Sequence, residues 1–107
     1  MKRYRLEFSR EALDDIERSF EWGRSEWGEE AAIRWYRKLT GHTRNVLGLV
    51  PLAQPIASEG RILNREIRHL IFGRYRILFE VEGKLVKVLH VKGAYAGRDD
   101  NDLGMEQ

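Results

Sequence analysis

The chain has no cysteine, two prolines and two methionines. Without cysteine there is no disulfide framework and no thiolate chemistry. Both prolines, Pro51 and Pro55, fall in one short stretch, so they mark a single loop. No apolar run approaches the roughly 20 residues of a membrane helix. The opening Met-Lys-Arg-Tyr-Arg-Leu-Glu-Phe lacks the apolar core of a secretion signal, which points to a reducing cytoplasm. There is no Gly-rich phosphate loop, nucleophile elbow or metal-ligand spacing. His42, His69 and His90 are too scattered to read as a zinc site, and no metal or cofactor is expected. Internal repeats and low-complexity segments are also absent.

What remains fits one domain of 107 residues, with the folded part expected over 1–98 and an acidic, fraying tail over 99–107. Tyr4, Leu6 and Phe8 alternate as in a strand. Ser9 is a candidate N-cap, and Ala12, Leu13, Ile16 and Phe20 follow at helical spacing to about Glu26. Gly28 breaks this helix. Glu29 and Glu30 open a second one, with Ala32, Trp35, Tyr36, Leu39, Thr43 and Val46 as its apolar stripe. After the loop from Pro51 to Gly60, residues 64–92 read as three short strands with turns near Gly73 and Gly83. Ile67, Ile77, Phe79, Val81, Val86, Val88 and Val91 are the expected core. The order predicts an α+β fold. An N-terminal strand and a two-helix hairpin precede a three-stranded antiparallel meander, and the helices cover one face of a small, mostly antiparallel sheet.

Charge is unevenly spread. The net formal charge is +2, yet residues 61–98 carry nine Lys/Arg against three Glu, while residues 9–50 carry seven against eight acids. The candidate binding set is Arg61, Arg65, Arg74, Lys87, Lys92 and Arg98. Such clustering is the footprint of an anionic partner. Solvent-facing strands also carry Lys and Arg for solubility and to block edge pairing. Asp14, Asp15, Glu29 and Glu30 read as solvated helix charges. The tryptophans lie in the helices, away from the basic strands, unlike the stacking platforms of single-strand binders.

RNA cleavage through its own 2′-hydroxyl needs a proton acceptor, cations for the phosphorane and a donor to the leaving oxygen. Arg68, Arg76, His90, Lys92 and Tyr95 supply the right types. Binding alone needs the same cations and no acid or base.

Over about residues 3–98 the chain resembles the RelE/ParE superfamily of bacterial type II toxin–antitoxin systems, also labelled plasmid-stabilisation proteins. The resemblance rests on Tyr4-Arg-Leu-Glu-Phe8-Ser9 with Ala12 and Asp15-Ile16, then Gly28 with Ala31 and Ala32, then Leu49 and Pro51. Its most specific pieces are Ile67-Arg68, Gly73-Arg-Tyr-Arg-Ile-Leu-Phe79 and Val86 to His90. It implies a toxin neutralised by a small antitoxin, whose C-terminal segment wraps the toxin while its N-terminal part binds operator DNA. A hetero-oligomer built from 1:1 units follows. RelE-like members are ribosome-dependent endoribonucleases that cut messenger RNA, whereas ParE-like members poison DNA gyrase.

Carried across, Arg76 matches a catalytic cation of the ribonuclease branch, and Arg68 a basic position on the preceding strand. Tyr95 is the residue that speaks most for the ribonuclease branch, whose members often use a tyrosine on the sheet. Two residues before Arg68, however, a position basic in RelE is Glu66, and the basic run after the last strand is thinned to Lys92-Gly-Ala-Tyr-Ala-Gly-Arg98. With His90 and the Gly28 hairpin, these departures turn the resemblance toward the ParE-like branch. A gyrase-binding toxin is therefore the leading expectation. A ribonuclease using Arg68, Arg76, His90 and Tyr95 is the alternative, and an attenuated, antitoxin-binding relative the third.

Overall fold

A computed structural model describes residues 3–93. Strand β1 (Arg5–Phe8) leads into α1 (Arg10–Trp27) and α2 (Glu29–Leu49). A 3-10 turn (Pro51–Ala53) and a one-turn helix α3 (Gly60–Leu63) precede β2 (Arg68–Phe72), β3 (Tyr75–Glu82) and β4 (Leu85–Lys92). The sheet order is β1-β4-β3-β2. β1 runs parallel to β4, and the other pairs are antiparallel. This is the expected α+β arrangement. The short helix α3 and the 3-10 turn were not anticipated, because neither is long enough to show a helical period.

Gly28 alone separates α1 from α2, at φ +96° and ψ 162°, a conformation open in practice only to glycine. Its N–H still closes α1 by donating to Arg24 O at 3.1 Å. Both hairpin turns have two residues with glycine first and φ near +60°, as the right-handed twist of the strands favours.

The helices bury Ala12, Ile16, Leu39 and Leu47 against Ile77, Phe79, Val86, Val88 and Val91. Phe79 is fully enclosed. A second, smaller cluster of Ala57, Ile67 and Leu78, with Leu89 against it, lies on the opposite face. The strand core is thus split between two faces: Ile67 belongs to the far cluster, and Val81 is only half-buried. In α2, Tyr36 is 44% exposed and stands outside the core, edge-on to Phe20.

Strict alternation would put Val91 on the wrong face relative to Val86 and Val88. A β-bulge corrects this: Phe79 pairs with Val88 and Leu78 with His90, leaving Leu89 as the extra residue. The bulge falls where β1 stops, since Phe8 is opposite Val88. Beyond that point β4 has an open edge, and the start of α1 occupies it. Ser9 N donates to Val88 O at 2.9 Å. The Ser9 hydroxyl donates to Leu89 O at 2.9 Å and accepts from Ala12 N at 3.0 Å, so it caps the helix and the strand together. Asp15 Oδ2 accepts from Val91 N at 2.9 Å and lies 3.1 Å from His90 Nδ1. The Asp15 side chain is only 12% exposed. Its expected role as a solvated helix charge is therefore corrected: it completes the backbone bonding of β4.

Ser9→Ala and Asp15→Ala should each destabilise the fold, by about 1–2 and about 1–3 kcal/mol respectively. Urea unfolding followed by tryptophan fluorescence measures both. A loss no larger than that of Asp14→Ala would show that these contacts do not hold β4.

Candidate functional site

The sheet face away from the helices carries the basic residues of β3 and β4. Arg76 and Lys92 are register partners across these strands, and Glu80 and Lys87 form another pair. The next basic position, Arg68, does not join them. It pairs in register with Phe79, whereas Arg76 pairs with Ile71, so the pleat turns the two arginines to opposite faces.

The chain between Pro55 and Ala57 lies along the outer edge of β2. Ala57 N donates to Ile67 O at 2.7 Å and His69 N to Pro55 O at 3.0 Å. The one-turn α3 follows, and the chain leaving it folds back on its first residue, with Arg65 N donating to Gly60 O at 2.9 Å. A Cβ at Gly60 would sit 2.1 Å from Arg65 O, so only glycine allows this close return. The residue before it, Glu59, is thereby placed against Arg76.

Glu59 and Arg76 form a bidentate pair, Nη1 to Oε2 at 2.6 Å and Nη2 to Oε1 at 2.9 Å. Lys92 Nζ is 3.7 Å from the same Oε2. His69 Nδ1 accepts from Arg76 Nη2 at 2.8 Å and Nε at 3.2 Å. A guanidinium only donates, so this geometry assigns the His69 proton to Nε2. The Arg76 hydrogen bonds, with Lys92 nearby, hold the Glu59 carboxyl down at about 2. Glu59 reciprocally raises Arg76.

The other candidates are mostly paired as well. Arg65 Nε bonds Glu80 Oε2 at 2.6 Å, which lowers the Glu80 carboxyl below its usual range. Lys87 lies 2.9 Å from Glu82. Arg68 donates to Glu66 Oε2 at 2.7 Å and to Gln54 O at 2.6 Å, and its Nε is buried without a partner. His90 faces Asp15. Arg61 and Arg74 are exposed, and no ion pair involves them among the described residues. Tyr95 and Arg98 lie outside the described residues. Among the described residues no cluster of three or more His, Cys, Asp or Glu is placed to hold a metal ion.

The basic face is therefore largely neutralised within the chain. The sequence reading missed Glu59, two positions before the segment whose charge it weighed. Seventeen residues separate Glu59 from Arg76, and no periodicity links a loop residue to a strand residue.

Two concave surfaces accompany this charge pattern. One, of about 360 Å³, has Leu63, Ile67, Leu78 and Leu89 as its apolar lining, with Glu59, His90 and Lys92 among the polar residues. The other, of about 410 Å³, runs between α1 and α2 and is lined by Leu13, Ile16, Glu17, Phe20, Ile33 and Tyr36. Leu13 and Tyr36 are 52% and 44% exposed there.

A strand, a helical hairpin and a three-stranded meander, with charge paired over the open face, define a small α+β domain. The family model described as "ParE toxin of type II toxin-antitoxin system, parDE" matches residues 6–94. The chain belongs to this ParE toxin family. Among solved structures it is similar to a chain titled "Chromosomal ParDE TA system from P. aeruginosa", with a TM-score of 0.71 and 17% identity. The match covers 84% of this chain and 95% of the other, a likeness of fold. No curated protein sequence matches the chain.

The depressed Glu59 carboxyl makes a pH prediction. Its folded value of about 2 lies below the ordinary 4.5. Its contribution is thus complete above about pH 4.5 and is lost as pH falls through about 2. Urea-unfolding stability measured across that window should fall less in Glu59→Gln than in the unmodified protein. Parallel curves would show that the pair contributes nothing.

Proposed function

We propose that this protein is a ParE-like toxin that inhibits DNA gyrase by binding, without cutting RNA, and that a cognate antitoxin silences it. The observation that carries the non-hydrolytic part is the fate of the two arginines. Arg76 is closed by Glu59, Arg68 is paired with Glu66, and the register turns them to opposite faces. A phosphorane needs converging, unpaired cations. The gyrase target is supported by membership of the ParE family and by the ParE-like features of the sequence.

An antitoxin partner is supported by the toxin–antitoxin title of the solved relative and by the apolar groove between α1 and α2. Such a groove accepts the apolar face of an amphipathic segment, and a partner that folds on binding wraps a large area. The site of action is then the cytoplasm, where gyrase meets DNA. In keeping with this, no helix of the described residues is long and apolar enough to cross a membrane.

Controlled expression in a bacterial host, without the antitoxin, should arrest growth, with messenger RNA intact and plasmid supercoiling altered. Purified protein should inhibit gyrase supercoiling in the same direction, and Arg76→Ala should leave transcripts as intact as the parent does. Transcripts cut within codons by the parent and spared by Arg76→Ala would overturn the proposal in favour of the ribosome-dependent ribonuclease. Supercoiling unchanged at saturating protein would remove gyrase as the target.

A further inference from the structure

The arrangement around Glu59 has the form of an occupied ligand site. A guanidinium offers two parallel N–H groups, and these fit a carboxylate or a phosphate equally well. Here Glu59 takes both, while Lys92 approaches the same oxygen from the neighbouring strand at 3.7 Å. His69 accepts from the guanidinium and so fixes its plane. The site is also reachable: the side chains of Glu59, Arg76 and Lys92 are 27%, 33% and 42% exposed.

We infer that Arg76 and Lys92, oriented by His69, form an oxyanion site for a phosphate group, and that Glu59 keeps it shut by occupying it. Glu59 is thus the specificity-determining residue that makes this face indifferent to phosphate. Two features separate it from an ordinary surface carboxylate. It directly precedes the α3 turn, whose Gly60 packs tightly against Arg65, and this close return places it against Arg76. Its attachment to the chain also gives it a high effective concentration, which a dilute external anion does not match. Removing the carboxylate leaves two adjacent cations with no counter-charge, and a phosphate then takes the same two guanidinium hydrogen bonds.

The test uses the full chain, with fluorescein-labelled oligouridylate and inorganic phosphate as separate probes. Glu59→Gln keeps the size of the side chain and removes its charge. It should bind at least one probe on the order of tenfold more tightly than the parent, the gain expected from charge-assisted hydrogen bonds. Glu82→Gln makes the same change in net charge at a 73%-exposed carboxylate paired with Lys87, and should gain far less. Adding Arg76→Gln to Glu59→Gln should erase the gain. A gain for phosphate alone supports a site for an isolated phosphate group; a gain for both probes supports one for a phosphodiester backbone.

Equal gains in Glu59→Gln and Glu82→Gln would overturn the inference, since net charge alone would then explain them. No gain in a folded Glu59→Gln would overturn it as well. The parent protein gives a check that needs no variant. On titration with inorganic phosphate, the side-chain N–H resonance of Arg76 should stay fixed while that of the unpaired Arg74 moves, and the reverse order would overturn closure. This inference rests on the pairing that supports the non-hydrolytic reading, but the outcomes separate. Failure to inhibit gyrase removes the proposed target and leaves the binding result untouched. Equal probe binding by all variants removes the closed site and leaves gyrase inhibition untouched.

Discussion

Strand β4 is the element on which the other layers depend, because both its neighbours and α1 are attached to it. β1 accompanies it only from Leu85 to Val88. Past that point one edge of a central strand would face solvent with its backbone unpaired. The first turns of α1 take that edge through Ser9 and Asp15, at the bulge that returns Val91 to the core. The same contacts set where α1 begins and how it crosses the sheet. Since only Gly28 separates the helices, the placement of α1 constrains α2 as well. Loss of a few hydrogen bonds at this junction therefore bears on the whole helical layer.

The open face follows a different rule. Its strand cations each lie beside a carboxylate, Arg76 and Lys92 beside Glu59 and Lys87 beside Glu82. Exposed pairs of this kind contribute little stability singly. Their larger effect is on recognition, because a paired arginine is a poor ligand for an external anion. The Glu59–Arg76 contact differs from the rest in being bidentate, shared with Lys92 and held by a glycine-dependent turn. A face that looks basic in a residue count is thus nearly neutral where the strands meet. Apolar surface remains open in the groove between the helices, at Leu13 and Tyr36.

The elements themselves were legible in the sequence because each has a period. Helices α1 and α2 showed their spacing and their glycine break, and the hairpin turns showed glycine between alternating runs. The ParE-like resemblance was legible from the order of these pieces. The bulge was not, since nothing in Val-Leu-His-Val marks which residue is extra. The buried role of Asp15 was equally hidden, because an aspartate on a helix looks the same whether it faces water or a strand edge. The short α3 has a single turn and no period to detect.

The candidate site divides along the same line. The sequence determined which side chains exist, the alternation that separates core from display, and the excess of Lys and Arg late in the chain. It also placed Glu66 beside Arg68, a local contact two residues apart. Only the tertiary structure decided that Arg68 and Arg76 face opposite ways and that Glu59 closes on Arg76. The reason is physical: local patterns report the conformation of a segment, whereas register and loop return depend on packing between segments far apart in the chain. Charge neutralisation on this face is a property of those long-range approaches, so it appears only when the fold is assembled.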